Sequence, residues 1–293
     1  MTATEWNAER TRRSLREPTA ADDKYSRGVV GMRTGSQDYP GAAVLGVEAA
    51  WRSGTGMVRY IGPERPTGLV LARRPESVAA PGRVQAWVIG SGTDAANRSA
   101  PETAGLVRIL SGGVPVIVDA GALDLAAAAT APVVVTPHAR ELDRLRETLG
   151  LAPVPVDADE AERTDAARET AAALGGVVLL KGSATIVADP RGDVRIVRTG
   201  SSWLATAGTG DVLGGVLGAV VAGWSAQNEG IATPDDRRFA ALADAAASAA
   251  WLHGRAGRVT AERLGPAGGP ITALDVAETL PVVVAGVLAA SPV

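Results

Sequence analysis

The chain has 293 residues, a formal net charge of −3 and 46% hydrophobic residues, enough apolar content for one large core or two modest ones. The acidic balance argues against a general nucleic-acid binder, although backbone N–H groups bind a small anion without a basic surface. Cysteine is absent, which removes disulfides, thiolate catalysis and cysteine metal sites and fits a reducing compartment.

In chain order, residues 1–23 read as a polar N-terminal extension carrying Arg10, Arg12, Arg13 and Arg16, with no apolar run of a signal peptide. Residues 24–293 read as one domain. Within it, 29–32 reads as a strand and 42–52 as a helix, followed by strands at 57–61, 84–89 and 114–118. A short buried strand at 132–135 leads into a charged helix at 140–149. Next come a helix at 165–174 and a strand at 177–180. Segments 185–188 and 194–197 form a hairpin around Pro190-Arg191-Gly192-Asp193, a strong turn signal.

After Asp211 the pattern turns helical, over 212–224, 235–253 and 273–280, with loops at 153–159 and 227–234. The apolar stretch 212–224 is too short for a bilayer and is broken by glycines, so a soluble cytoplasmic protein without a membrane partner is expected. Continuous apolar strands separated by helices imply an α/β fold, a central, mostly parallel sheet covered by helices on both faces.

The most informative segment is Gly208-Thr209-Gly210-Asp211, ahead of an apolar, small-residue helix. Glycines let N–H groups approach a ligand closely, and a helix N-terminus adds partial positive charge, so the loop suits a phosphate. Asp211 then fits two roles, a base that takes a proton from an attacking hydroxyl or a simple helix cap. Gly90-Ser91-Gly92 follows a buried strand, where an open α/β sheet forms its ligand crevice. His138 lies just past another strand, and either contacts a ligand or is held structurally by backbone groups. Glu141 reads as a helix N-terminal charge, and Asp119 as a turn cap or the organiser of a metal-bound water. His253, in a helical run that ends at Gly254, reads as stabilising a helix C-terminus. Lys181-Gly182-Ser183-Ala184-Thr185 offers a mobile charge, a turn and hydroxyls without P-loop spacing.

Taken together these blocks resemble the NAD(P)H-hydrate dehydratase family of the ribokinase-like superfamily. The resemblance runs from Lys24 to about Val276 and includes Tyr39-Pro40-Gly41-Ala42-Ala43, Val135-Thr136-Pro137-His138 with Glu141, Lys181 to Thr185, and the loop ending in Asp211. It implies a ribokinase-like fold and ADP- or ATP-dependent dehydration of the S form of hydrated NADH or NADPH, with Mg²⁺ on the nucleotide. It further implies Asp211 as the catalytic base. Substrate contacts fall to Ala42, Ala43, Gly92, His138 and Asp211. Nucleotide contacts fall to Lys181, Gly182, Ser183, Ala184, Thr185, Gly208, Thr209 and Gly210. The metal ligands stay open. Small-residue helix faces and family precedent favour a homo-oligomer, a homotetramer first. Three positions depart from the family pattern: Gly121 where an acid is usual, Arg140 where glycine is usual, and Arg198-Thr199-Gly200 in the loop before the signature. The epimerase domain that often precedes this one is not expected in residues 1–23, which are too few to fold as one. A kinase for a small vitamin alcohol is the alternative reading, and a catalytically silent nucleotide-binding protein a third.

Overall fold

The computed structural model describes residues 3–289. The elements run β1 (Thr4–Glu5), α1 (Ala8–Arg13), β2 (Val29–Arg33), α2 (Gly41–Arg52), β3 (Met57–Tyr60), α3 (Glu64–Arg73), β4 (Ala86–Ile89), α4 (Ala100–Leu110), β5 (Val116–Val118) and β6 (Val133–Val135). They continue with α5 (Ala139–Thr148), α6 (Glu160–Leu174), β7 (Val177–Leu180), β8 (Thr185–Ala188), β9 (Val194–Val197), α7 (Thr209–Gln227), α8 (Asp235–Glu262) and α9 (Ala273–Ala289).

The strands make one sheet in the order β1-β9-β8-β7-β6-β5-β4-β2-β3. Only β8 runs against its neighbours. The strands are Val-, Ile- and Leu-rich because both faces are covered, and side chains alternate between them. Val177 and Leu179 enter one core with α2, α7, α8 and α9, while Val178 and Leu180 enter a second core with α4, α5 and α6. This is the mostly parallel, two-sided α/β architecture that the apolar pattern predicts. The small residues set how closely the layers approach. A Cβ added to Gly215 of α7 would lie 2.1 Å from the Gly46 carbonyl oxygen of α2, so these helices meet backbone to backbone.

Several boundaries differ from the sequence reading, each for a local reason. In the segment 1–23, set apart as an extension, Thr4–Glu5 pairs in parallel with β9 and Trp6 is buried, its indole N–H donating to Ser248 Oγ at 3.2 Å. Helix α6 starts five residues earlier than expected, at Glu160, because Asp159 and Glu162 form a reciprocal capping box. Helix α9 runs through Pro281 instead of stopping before it, since Val283 and Val287 continue its buried stripe. Helix α7 is 19 residues and apolar enough to cross a bilayer by length, but 67% of its most apolar window is buried inside the fold. The short helices α1, α3 and α4 were not anticipated.

Candidate active site

The carboxyl ends of β2, β4, β5, β6 and β7 share one edge of the sheet, and each delivers its next residues there. Asp119 follows β5 and is buried. Its carboxylate accepts from Ser91 Oγ at 2.9 Å, from Thr136 Oγ1 at 2.7 Å and from the Lys181 ammonium at 2.9 Å. Lys181 Nζ also lies 3.7 Å from Glu141 Oε2. Burial alone would lower the Lys181 pKa, but Asp119, Glu141 and Asp211 together hold it above the ordinary range, so the ammonium stays charged. Gly90 makes this cluster sterically feasible. Its φ is +96°, and a Cβ there would sit 2.0 Å from the Asp119 carbonyl oxygen.

The loop before α7 closes over the same edge. Gly208 is the N-cap residue, in the left-handed region at φ +89°, with no side-chain cap. Thr209 Oγ1 is 2.9 Å from both the Leu204 and Thr206 carbonyls and ties the loop to the helix. The N–H groups of Gly210 and Asp211 form no hydrogen bond among the described residues, leaving them free for an anion. Asp211 is the third residue of the helix and not its cap. Its half-buried carboxylate accepts no hydrogen bond among the described residues. Burial first, then the charge of Asp119, push its pKa up to about 6, with Lys181 acting in the opposite direction. A carboxylate free of hydrogen bonds and poised near neutrality has the properties of a general base.

Two clefts flank this centre. One, of about 510 Å³, is lined by Lys181, Gly182, Ser183, Thr185, Thr209, Gly210 and His253. The other, of about 530 Å³, is lined by residues including Tyr39, Gly92, Thr93, Ala120, Glu141 and Arg144. Lys181 lines the first and Glu141 the second, so the 3.7 Å pair between them stands at the partition.

The expected site residues divide accordingly. Lys181, Gly182, Ser183, Thr185, Thr209 and Gly210 share the first cleft, whereas Ala184 turns inward into the second core. Gly208 lies behind the loop against Leu45. Gly92 faces the second cleft and packs on Ala42, where an added Cβ would come within 2.3 Å of the alanine methyl. Ala43 is fully buried behind Gly35. His138 caps α5. Its Nδ1 accepts from Glu141 N at 3.3 Å, and Glu141 Oε2 accepts from His138 N at 2.8 Å. With Nδ1 an acceptor, the neutral ring carries its proton on Nε2, and about half of the side chain is exposed.

His253 does not end a helix, because α8 continues to Glu262. Its side chain is partly buried and lines the first cleft; burial lowers its pKa to about 4 against a hydrogen bond to the Thr209 backbone, and the buried Nε2 has no partner among the described residues. Asp119 makes no side-chain cap and serves as the hub of the cluster, a role that sequence reading missed. The available signal was a polar residue directly after a buried strand, shared by Asp119 and Lys181. Among the described residues no group of three acidic or histidine side chains could hold a metal, and the carboxylates of Asp119 and Glu141 already face Lys181. A magnesium ion would therefore be held mainly by nucleotide phosphates and water.

The family model described as NAD(P)H-hydrate dehydratase matches residues 30–281. The chain is 47% identical over 219 residues to the bifunctional NAD(P)H-hydrate repair enzyme of Mycobacterium tuberculosis, covering 70% of this chain and 43% of that protein. It thus spans less than half the length of that curated relative. With the ADP-dependent (S)-NAD(P)H-hydrate dehydratase of Bacillus subtilis it is 34% identical over 230 residues, 72% of this chain and 79% of the relative. The crystal structure of the ADP/ATP-dependent NAD(P)H-hydrate dehydratase from Bacillus subtilis, co-crystallised with ATP/Mg²⁺, superposes with a TM-score of 0.80 at 29% identity over 98% of this chain and 99% of that one.

Proposed function

Because the chain belongs to the NAD(P)H-hydrate dehydratase family, we propose that it restores hydrated NADH and NADPH, in the S form, to the dihydronicotinamides at the expense of ADP or ATP. The observation that carries this reading is the Asp211 carboxylate, free of hydrogen bonds among the described residues, beside two unbonded N–H groups and directly after Thr209 and Gly210, which line the first cleft. The nucleotide enters the cleft of Lys181, Gly182, Ser183 and Thr185. The hydrate enters the cleft of Gly92, which packs on Ala42, and of Glu141, the capping partner of His138.

Water added across the nicotinamide ring leaves a hydroxyl, which departs poorly. Asp211 takes the hydroxyl proton as the oxygen attacks the terminal phosphoryl group of the nucleotide, displacing AMP from ADP or ADP from ATP. The ring then expels the oxygen as phosphate, and the adjacent ring carbon releases a proton to solvent, which restores the double bond. The N–H groups of Gly210 and Asp211 stabilise charge on the moving phosphoryl group, and Lys181, within reach of Gly210, adds a fixed positive charge. Mg²⁺ bound with the nucleotide supplies charge neutralisation. We further propose a homo-oligomer, which a solution mass measurement tests.

The test of function is incubation with hydrated NADH or NADPH plus ADP or ATP, following recovery of dihydronicotinamide absorbance. Recovery that requires nucleotide and is lost in Asp211→Asn is the expected result. No recovery with either nucleotide, together with stable phosphorylation of a vitamin alcohol, overturns the reading.

A further inference from the structure

We propose that Arg144 receives the phosphate groups of the dinucleotide acceptor and so sets the affinity of the second cleft. This inference rests on the dehydratase reading, because it concerns what that cleft must hold. Its lining carries three carboxylates, Asp94, Asp124 and Glu141, and a single cation, Arg144. A ligand whose pyrophosphate alone carries two negative charges meets a counter-charge in this lining at Arg144.

The three carboxylates are already engaged. Asp94 accepts from Ala96 N at 3.0 Å and from Asn97 Nδ2 at 2.8 Å. Asp124 pairs with Arg98. Glu141 serves the α5 cap and faces Lys181. Arg144, by contrast, is exposed and forms no ion pair among the described residues. Its Nε makes one long contact, 3.4 Å, with the Arg140 carbonyl of its own helix, and its terminal nitrogens have no partner among the described residues.

A planar guanidinium with free N–H groups matches two phosphate oxygens at once. Around it, Leu123 and Leu145 supply apolar wall, and the exposed ring of Tyr39 offers a flat face for a base or a nicotinamide. Arg144 is therefore the one lining group suited to the anionic part of the ligand, while the rest of the cleft suits its rings.

The experiment compares wild type with Arg144→Gln and Arg144→Glu in steady-state turnover of hydrated NADPH and hydrated NADH. The expected result is a KM for the hydrate raised about tenfold in Arg144→Gln and further in Arg144→Glu, with kcat and the KM for ADP within about twofold of wild type. A rise for both hydrates assigns the contact to the pyrophosphate, and a rise for hydrated NADPH alone assigns it to the 2′-phosphate. An unchanged hydrate KM in Arg144→Glu overturns the proposal. Calorimetric titration of the unreacted product, NADPH, reads the same contact without turnover. If wild type fails to turn over any hydrate, the functional reading fails. The titration still decides for Arg144, since equal affinity in wild type and Arg144→Glu refutes it and weakened affinity supports it.

Discussion

The ammonium of Lys181 is fixed 2.9 Å from Asp119 Oδ1 and is not hydrogen-bonded to Asp211. The charge is thus spent on a buried carboxylate that also takes two hydroxyl hydrogen bonds, and Asp211 is left with a pKa pushed up to about 6 by its burial. Turnover that needs ionised Asp211 should rise with pH through about 6 and level off above 7, measured as kcat/KM for the hydrate. Lys181→Met removes the charge that opposes the upward shift, so the midpoint should move to higher pH. A flat profile in wild type would remove Asp211 from the rate equation.

The same carboxylate weakens the fold. Its folded-state pKa lies above the ordinary value of 3.8, so the native state holds the proton more tightly than the unfolded chain does. Its contribution to stability therefore falls as pH rises from about 4 to about 6 and stays low above that. Asp211→Asn should be more stable than wild type by about 1–3 kcal/mol at pH 7.5, and indistinguishable from it near pH 3.5. Paired denaturant titrations at the two pH values measure this difference.

His138 combines a cap with an exposed imidazole Nε2, and substitution can separate the two. Serine is a good N-cap, so His138→Ser should keep the midpoint of thermal unfolding within a few degrees of wild type. His138→Ala, which lacks the acceptor for Glu141 N, should lose about 1 kcal/mol. If the ring binds the hydrate, both variants should lose a similar factor in kcat/KM. Full activity in His138→Ser would confine the residue to capping.

Glu48, with no exposed surface, pairs with Arg52 at 2.6 Å and with Arg73 and Arg74 of the α3 end. Burial would raise its pKa, but hydrogen bonds from the three guanidiniums overcome that and hold it at about 2. Its contribution is fully present above the unfolded value near 4.5 and is lost as pH falls toward 2. Glu48→Gln leaves the guanidiniums without their anion and should destabilise by about 3 kcal/mol in denaturant titration, with the KM for nucleotide unchanged.

Two glycines with nearly equal φ give a matched comparison. Gly54 is at +93° with open space where a Cβ would be, and Gly90 is at +96° against the Asp119 carbonyl. Gly54→Ala should cost only backbone strain, about 1 kcal/mol, and leave kcat intact. Gly90→Ala must displace Asp119, so its loss of kcat should exceed tenfold. Equal kinetics in the two variants would show that the Asp119 cluster does not control turnover.

The legible parts of the fold were those with local causes. The hairpin at Pro190 to Asp193 announces itself by turn chemistry, and the buried strands by their Val and Ile runs. Helix α4 was also legible in principle, because Ser99 and Glu102 stand three apart ahead of it, and Ser99 does cap it. Local pattern could not reveal the N-terminal strand, two residues long and held by pairing with a segment about 190 positions away. The same limit hid the bond between Lys181 and Asp119, which are 62 residues apart. The loop at Gly208 to Asp211 was found as a motif. That Gly208 and not Asp211 opens the helix depends on a positive φ that a sequence does not display.

That short N-terminal strand also bears on how the protein can be handled. Its two residues cover the outer edge of β9, which would otherwise offer an unpaired row of backbone donors and acceptors to any passing chain. The segment lies ahead of the region 30–281 that defines the family. Expression trimmed to that region would strip the sheet of its border and of the Trp6 anchor on α8, and precipitation on concentrating such a sample would have a structural cause.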